Sequence, residues 1–378
     1  MSDPVYLDHA ATTPVIPEVA QAMRPYLHEH FGNPASGHVY GRRAAEALDR
    51  ARGEVAALIG ADVGEIVFTG CATEANNLAI RGAARAGLDH GRHLITSAVE
   101  HPSVAEPFAR LAAEGWEVDV LPVDGTGRVD PAALARVLRA DTVLVSVMHA
   151  NNEVGTVQPV GELARLAHDA GAVFHTDAAQ TAGKLEMDVR ALGADLMTLA
   201  GHKFNAPKGV GALYVRSGIA PEPLLHGGGQ ERGLRPGTEN VPHIVGLGEA
   251  ARQARAHGAE TAARVESLRE RLRERLAEAV PGLAVNGHPI ERLPGILHVS
   301  FPGITGGALL ERAAGDVAAS TGSACHAGEA GPSGVLGAMG LDAEHAASAV
   351  RLSVGVTTTP EEIDRAAWAL IDAYRLLE

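Results

Sequence analysis

From about residue 42 to 255 the chain alternates between segments with helical spacing of apolar residues and short, β-branched apolar runs. This is the pattern of a parallel sheet flanked by helices. The runs 65–69, 93–97, 142–148, 172–176, 195–200 and 210–216 read as buried strands. Between them 74–86, 103–114, 131–139 and 159–170 read as helices, the last with a proline in its first turn and Gly171 as its stop. After about residue 255 the character changes: 259–279 interleaves acidic and basic residues at helical spacing and leads into a Gly- and Ala-rich region. The expected architecture is α/β, with a large domain over 15–255 built on a mostly parallel sheet and a smaller α+β domain made of 1–14 and 256–378. The stretch 241–256 fits either part. Ligands of such sheets bind at the carboxyl ends of the strands.

Length and charge narrow the function class. At roughly 150 residues per domain, 378 residues make two to three domains. The 46 acidic residues outnumber the 32 basic ones, a net charge of −14 that disfavours nucleic acid and anionic membrane as partners. No apolar run of about 18 residues occurs, and Met1-Ser2-Asp3-Pro4 lacks the basic-then-apolar order of a leader, so a cytoplasmic protein is expected. Two cysteines, Cys71 and Cys325, make no disulfide framework, which leaves their interest chemical. No histidine pair has zinc spacing such as His-Glu-x-x-His, and no metal site is expected.

Candidate chemistry collects at predicted strand ends. Asp177 closes one apolar run and is either a helix cap or a functional acid. The next run ends in Gly201-His202-Lys203, so an aspartate and a lysine stand on adjacent strand ends. That arrangement fits pyridoxal phosphate, in which a lysine forms the Schiff base and a carboxylate keeps the pyridinium nitrogen protonated. Lys208 is a rival, but it lies in a Pro/Gly turn five residues further on. From Gly70 to Asn77 small residues run from a strand into a helix, which suits either a phosphate or an ordinary turn with Thr73 as N-cap. His101 opens the next helix, where an imidazole can stack on a ring or move a proton. Cys325 sits in a run of small residues from Ser320 to Gly328, beside His326, a setting for an accessible thiolate. Cys71, inside the tight turn, reads as packed.

Ten motifs in order then carry a resemblance over almost the whole chain. They are the stretch Tyr6-Leu7-Asp8-His9-Ala10-Ala11-Thr12-Thr13-Pro14, Gly32-Asn33-Pro34, Ala72-Thr73-Glu74, Glu100-His101, Asn151-Asn152-Glu153, Asp177-Ala178-Ala179-Gln180, Gly201-His202-Lys203, Arg235-Pro236-Gly237-Thr238, Gly322-Ser323-Ala324-Cys325 and Arg351-Leu352-Ser353. The chain resembles the cysteine desulfurases, class V pyridoxal phosphate enzymes of fold-type I.

The resemblance implies that Lys203 is the Schiff-base lysine, Asp177 the ring-nitrogen partner, Gln180 a donor to the phenolic oxygen and His101 the ring-stacking acid/base. It implies that Thr73 and His202 hold the phosphate, with Thr238 reaching in from the second subunit of a homodimer, and that Ala72 also contacts the cofactor. Asn152 contacts the cofactor and, with Asn33 and Arg351, the substrate carboxylate, and Cys325 is the nucleophile. The implied reaction turns L-cysteine into L-alanine and a Cys325 persulfide, whose sulfur passes to an acceptor protein for iron-sulfur or thio-cofactor synthesis.

One position departs from the family. Ala200 stands where desulfurases often carry a phosphate-binding serine. Selenocysteine lyases can also lack that serine, and they resemble this chain at Gly227–Arg232, Pro236 and Ala324-Cys325-His326. The alternatives to desulfuration are therefore selenocysteine lyase, releasing selenide and alanine, and another class V aminotransferase.

Overall fold

The structure, a computed structural model, describes residues 3–321 and 333–378. In chain order the elements are β1 (Val5–Tyr6), α1 (Pro17–His28), α2 (Val39–Leu58), β2 (Ile66–Thr69), α3 (Ala72–Ala86), β3 (His93–Ser97), α4 (Pro102–Ala113), β4 (Glu117–Leu121), α5 (Pro131–Val137), β5 (Thr142–Ser146), α6 (Val160–Asp169), β6 (Val173–Asp177), α7 (Val189–Leu192), β7 (Leu196–Ala200) and β8 (Gly211–Val215). They continue with α8 (Val241–Ala279), β9 (Ala284–Asn286), β10 (Ile296–Ser300), α9 (Gly306–Ala313), β11 (Val317–Ala318), α10 (Gly334–Ala338), α11 (Ala343–Ala347), β12 (Ala349–Ser353) and α12 (Pro360–Leu377).

Seven strands form the main sheet in the order β2-β8-β7-β6-β5-β3-β4. The five from β4 to β7 are parallel, and β8 runs antiparallel to both β7 and β2. Two reversals restore direction, so β2 ends on the same side as β3, β5, β6 and β7. Strands β2, β3, β5, β7 and β8 are buried along their whole length, which is why they read as continuous apolar runs. Strand β4 escapes that signature: it lies at the sheet edge, its Glu117 and Val120 are exposed, and only Leu121 is buried.

A second sheet, β12-β10-β9, is antiparallel, and β1 pairs parallel with β11. The stretches 241–256 and 259–279 form one helix, α8, of 39 residues. At 1.5 Å per residue it is about 58 Å long. Its first half packs Val241, Ile244, Leu247 and Ala250 against α2 and the main sheet, whereas its second half packs Val265, Leu268, Leu272 and Leu276 with Leu297, Val350 and Leu370. The residue-255 boundary thus falls inside a helix. No helix among the described residues is long and apolar enough to cross a membrane.

Helices α2 and α8 meet at van der Waals limit at Gly248, where an added Cβ would lie 2.5 Å from the Ala51 Cα. Backbone cannot yield there as a flexible side chain would. Gly248→Val should therefore lower the unfolding free energy by about 1–3 kcal/mol, read from urea titration as a lower midpoint at unchanged slope.

Candidate active site

Each sequence-predicted cofactor residue of the large sheet closes or follows the carboxyl end of one of five of the six co-directed strands. Ala72 and Thr73 follow β2, His101 follows β3, Asn152 follows β5, Asp177 and Gln180 close and follow β6, and His202 and Lys203 follow β7. Strands β6 and β7 are hydrogen-bonded neighbours, with Asp177 opposite Thr198, so the aspartate and the lysine do stand on adjacent strand ends.

Asp177 is buried, 5% exposed. Its Oδ1 accepts from the Ala179 amide at 2.9 Å and its Oδ2 from Asn76 Nδ2 at 2.7 Å. The same Asn76 nitrogen donates to Ser103 Oγ at 2.9 Å, and Ser103 Oγ lies 2.8 Å from His101 Nδ1. A polar chain thus joins Asp177 to His101 through two residues that spacing did not single out. The His101 Nδ1 also accepts from the Ser103 amide at 3.1 Å, because His101 is the N-cap of α4. A ring nitrogen that accepts carries no proton, so neutral His101 bears its proton on Nε2.

Lys203 sits in the short 3-10 turn Gly201–Lys203 and donates to the carbonyls of Ala10 at 2.7 Å and Ala11 at 2.8 Å. Gln180 Nε2 donates to the same Ala10 carbonyl at 2.9 Å, while its Oε1 accepts from Lys184 Nζ at 3.0 Å. Lys184 is a second amine that sequence reasoning missed, although it lies only four residues beyond Gln180. Burial, then the charges of Lys203 and Arg351, push its pKa down to about 7. A cavity of about 60 Å³ lined by His9, Lys184, Lys203, Val265 and Ile296 lies beside both amines. His202 is pushed down to about 4, by burial first and then by Lys203, and its Nδ1 lies 3.2 Å from Thr12 Oγ1. Lys208, the rival lysine, is exposed.

At the amino end of α3 two expectations change. The N-cap is Cys71, without a side-chain cap bond, so Thr73 lies within the helix and its hydroxyl is not spent on capping. Cys71 is exposed rather than packed. The turn itself is pressed onto β8: a Cβ on Gly211 would lie 2.8 Å from the Cys71 carbonyl carbon and 3.1 Å from the Ala72 nitrogen. A cleft of about 580 Å³ opens beside Thr73 and His101, lined also by Asn77, Arg81 and Ser103. Ala200 ends β7 as a buried methyl group.

Arg351, on β12, is 3% exposed and comes to this edge from the second sheet. Its Nη1 donates to the Asn152 carbonyl at 2.9 Å and its Nη2 to Asp8 Oδ1 at 2.8 Å, while its buried Nε has no partner. Asn152 is carried by a turn that buried Asn151 builds, accepting from the amides of Glu153 and Val154. Asn33 is not brought to these residues by any hydrogen bond: exposed before α2, its Oδ1 accepts from the Ala35 amide at 2.9 Å. Thr238 is exposed on the loop before α8. Cys325 lies outside the described residues, but Ser320, five residues before it, pairs with Arg351, and Ser333 donates to buried Glu153. No group of three or more His, Cys, Asp or Glu among the described residues could hold a metal ion.

The model of the family described as "Aminotransferase class-V" matches residues 5–366. The chain is 49% identical over 380 residues to a protein named cysteine desulfurase IscS from Anaeromyxobacter sp. (strain Fw109-5), covering 100% of this chain and 94% of the relative. The chain belongs to the cysteine desulfurase family of class V aminotransferases. Its fold is accordingly fold-type I, as solved relatives illustrate. A NifS-like protein superposes with a TM-score of 0.92 at 38% identity, covering 99% of both chains. A structure titled "SspA in complex with cysteine" superposes at 0.83 with 36% identity, covering 95% of this chain and 100% of the other.

Glu100, next to His101, offers a pH test of this edge. Its Oε1 accepts from Ser97 Oγ and the Met148 amide, its Oε2 is buried without a partner, and burial raises its pKa from 4.5 to about 8. Between those values the folded protein holds a proton that the unfolded chain releases, so this group's stabilisation is lost as pH rises through that window. The loss is at most about 1.4 kcal/mol per pH unit. Glu100→Gln removes that slope, and urea unfolding at about pH 5 and about pH 8 should show the variant gaining on the parent as pH rises.

Proposed function

We propose that this protein is a pyridoxal phosphate-dependent cysteine desulfurase that converts L-cysteine to L-alanine and holds the sulfur as a persulfide on Cys325. The observation that carries the reading is the buried Asp177 carboxylate and the Lys203 amine at the carboxyl ends of neighbouring parallel strands. The residues present fit the cofactor: buried Asn76 Oδ1 and Arg351 Nε have no partner, and the Thr73 hydroxyl is not spent as a helix cap. The names of full-length relatives and a solved relative bound to cysteine support the same substrate.

In this reading Lys203 attaches the cofactor, Asp177 keeps its ring nitrogen protonated, and Gln180 presents Nε2 to the phenolic oxygen. Thr73 and His202 hold the phosphate, joined by Thr238 of a second copy, which makes the working unit a homodimer, and Ala72 also contacts the cofactor. Bound there, the cofactor supplies an electron sink for chemistry at the substrate's α-carbon. Arg351 takes the substrate carboxylate through Nε and by exchange with Asp8 at Nη2, with Asn152 and Asn33 as its neighbours in that task. His101, protonated on Nε2 when neutral, is the side chain that moves a proton. The Cys325 thiolate attacks the substrate sulfur; the S–S bond forms, the C–S bond breaks, its electron pair stays with the substrate carbon, and protonation there gives alanine. Cys325 follows Ser320 by five residue steps, a reach of at most about 18 Å from the residue that pairs with Arg351. The persulfide sulfur then passes to an acceptor protein.

The test is turnover of purified protein with cysteine and selenocysteine in parallel, following alanine together with sulfide or selenide. Lys203→Ala should abolish turnover and the visible chromophore. Cys325→Ala should lose the protein-bound persulfide; a persulfide that persists in that variant overturns the assignment of Cys325. Alanine and selenide from selenocysteine alone would move the protein to the lyase class, for which the buried methyl of Ala200 in place of a hydroxyl is the favouring observation.

A further inference from the structure

The loop between β8 and α8 contains two successive non-glycine residues with left-handed backbone, Glu231 (φ 46°, ψ 41°) and Arg232 (φ 59°, ψ 29°). L residues hold such a conformation only where the surroundings over-determine it. Here they do. The Glu231 carboxylate, with its side chain 2% exposed, accepts two bonds of 2.7 Å from the Arg52 guanidinium and a third of 2.9 Å from the Phe68 amide. Arg52 also donates to the Ile66 carbonyl and stacks 4.5 Å above the Phe68 ring, and Arg232 donates to that same carbonyl at 2.9 Å.

The clamp continues toward the phosphate turn. Arg235 Nε donates to Glu74 Oε1 at 2.8 Å, and Glu74 Oε2 accepts from the Gly70 amide at 2.7 Å. Gln230 Oε1 accepts from the Gly237 amide at 3.0 Å, which closes the loop on itself, and Asn240 caps α8. Four residues, 236–239, remain between the Arg235 tie and that cap. Exposed Thr238 is among them.

We propose that Arg52 and Glu231 are positioning residues for Thr238. Their ion pair, its carboxylate buried, sets the strained turn so that Thr238 is presented outside its own subunit, already ordered, to the phosphate of a second copy. The inference rests on the reading that Thr238 is a phosphate ligand in trans. Its physical content is pre-organisation: the distorted backbone is fixed when the chain folds, so little ordering is left to oppose the contact when the phosphate binds.

The experiment compares two probes that differ by one group. Full-length protein freed of cofactor is titrated with pyridoxal 5'-phosphate and, separately, with pyridoxal, for the parent, Glu231→Gln, Arg52→Lys, Thr238→Ala and the Glu231→Gln/Thr238→Ala double variant. Glu231→Gln should weaken pyridoxal 5'-phosphate about ten-fold, the worth of one lost hydrogen bond, while pyridoxal affinity stays within about two-fold. In the Thr238→Ala background the second substitution should add nothing, since both act through one contact. Arg52→Lys, which keeps the charge but not the bidentate fork, should give a smaller loss of the same kind and serves as the readout if Glu231→Gln does not fold. Equal weakening of both probes, or no weakening of either, overturns the assignment. A loss in Thr238→Ala that is absent from Glu231→Gln and Arg52→Lys overturns the clamp alone. Unaltered pyridoxal 5'-phosphate affinity in Thr238→Ala overturns the trans reading and the clamp with it.

Discussion

The stretch from Tyr6 to Thr13 joins the two halves of the site, and the geometry of both depends on it. Its Asp8 holds Arg351 of the second sheet, and its Ala10 amide donates to Ser353 Oγ on the same strand. On the other side the Ala10 carbonyl accepts from Lys203 and Gln180, and Thr13 donates to the His202 carbonyl. Two sheets that share no strand are thereby registered against each other by one short segment, which turns at residues 9–11. The Ala10 oxygen is the meeting point of this arrangement, since an amine and an amide occupy its two lone pairs. Gln180 hands the constraint on to Lys184, so the two amines are joined by hydrogen bonds through the Gln180 amide and the Ala10 carbonyl.

Much of the fold was legible because five strands of the main sheet are buried throughout. Such strands lose the in–out alternation of exposed sheets and appear as short β-branched runs, and their ends can be read from where polarity returns. Thr73, His101 and Lys203 follow three of these strands and Asp177 closes β6, which is buried in all but its first residue, so they were legible for the same reason. Strand β4 was not, because an edge position permits Glu117 and Asp119 where a central strand would carry apolar residues. The partners of the site residues were hidden too. Asn76, Ser103 and Asp8 act through bonds between segments distant in sequence, and such bonds leave no spacing to detect, whereas Lys184 lies only four residues beyond Gln180 and its burial, not its bond, was hidden. Cys71 was misread because small neighbours suggest close packing but do not fix which way an N-cap side chain faces.

Helix α8 explains why a boundary near residue 255 was hard to draw. One continuous helix buries its first half in one apolar core and its second half in another. A flexible linker would let the two cores drift independently. A helix shared by both transmits displacement of either core along its axis, and relative motion has to bend it or break its backbone bonds.

Both borders of the main sheet carry charged groups that oppose strand addition, and this bears on how the protein behaves at high concentration. At β2 the outward-facing Phe68 amide and Ile66 carbonyl are taken by Glu231, Arg52 and Arg232, so an incoming strand would have to displace an ion pair whose carboxylate is buried to dock. At β4 the acids Glu117 and Asp119 line the border, paired with Arg139 and His93. Charged side chains on sheet borders suppress the edge-to-edge pairing that seeds aggregates. Self-association of this chain is thereby steered away from sheet extension and toward its helices and loops.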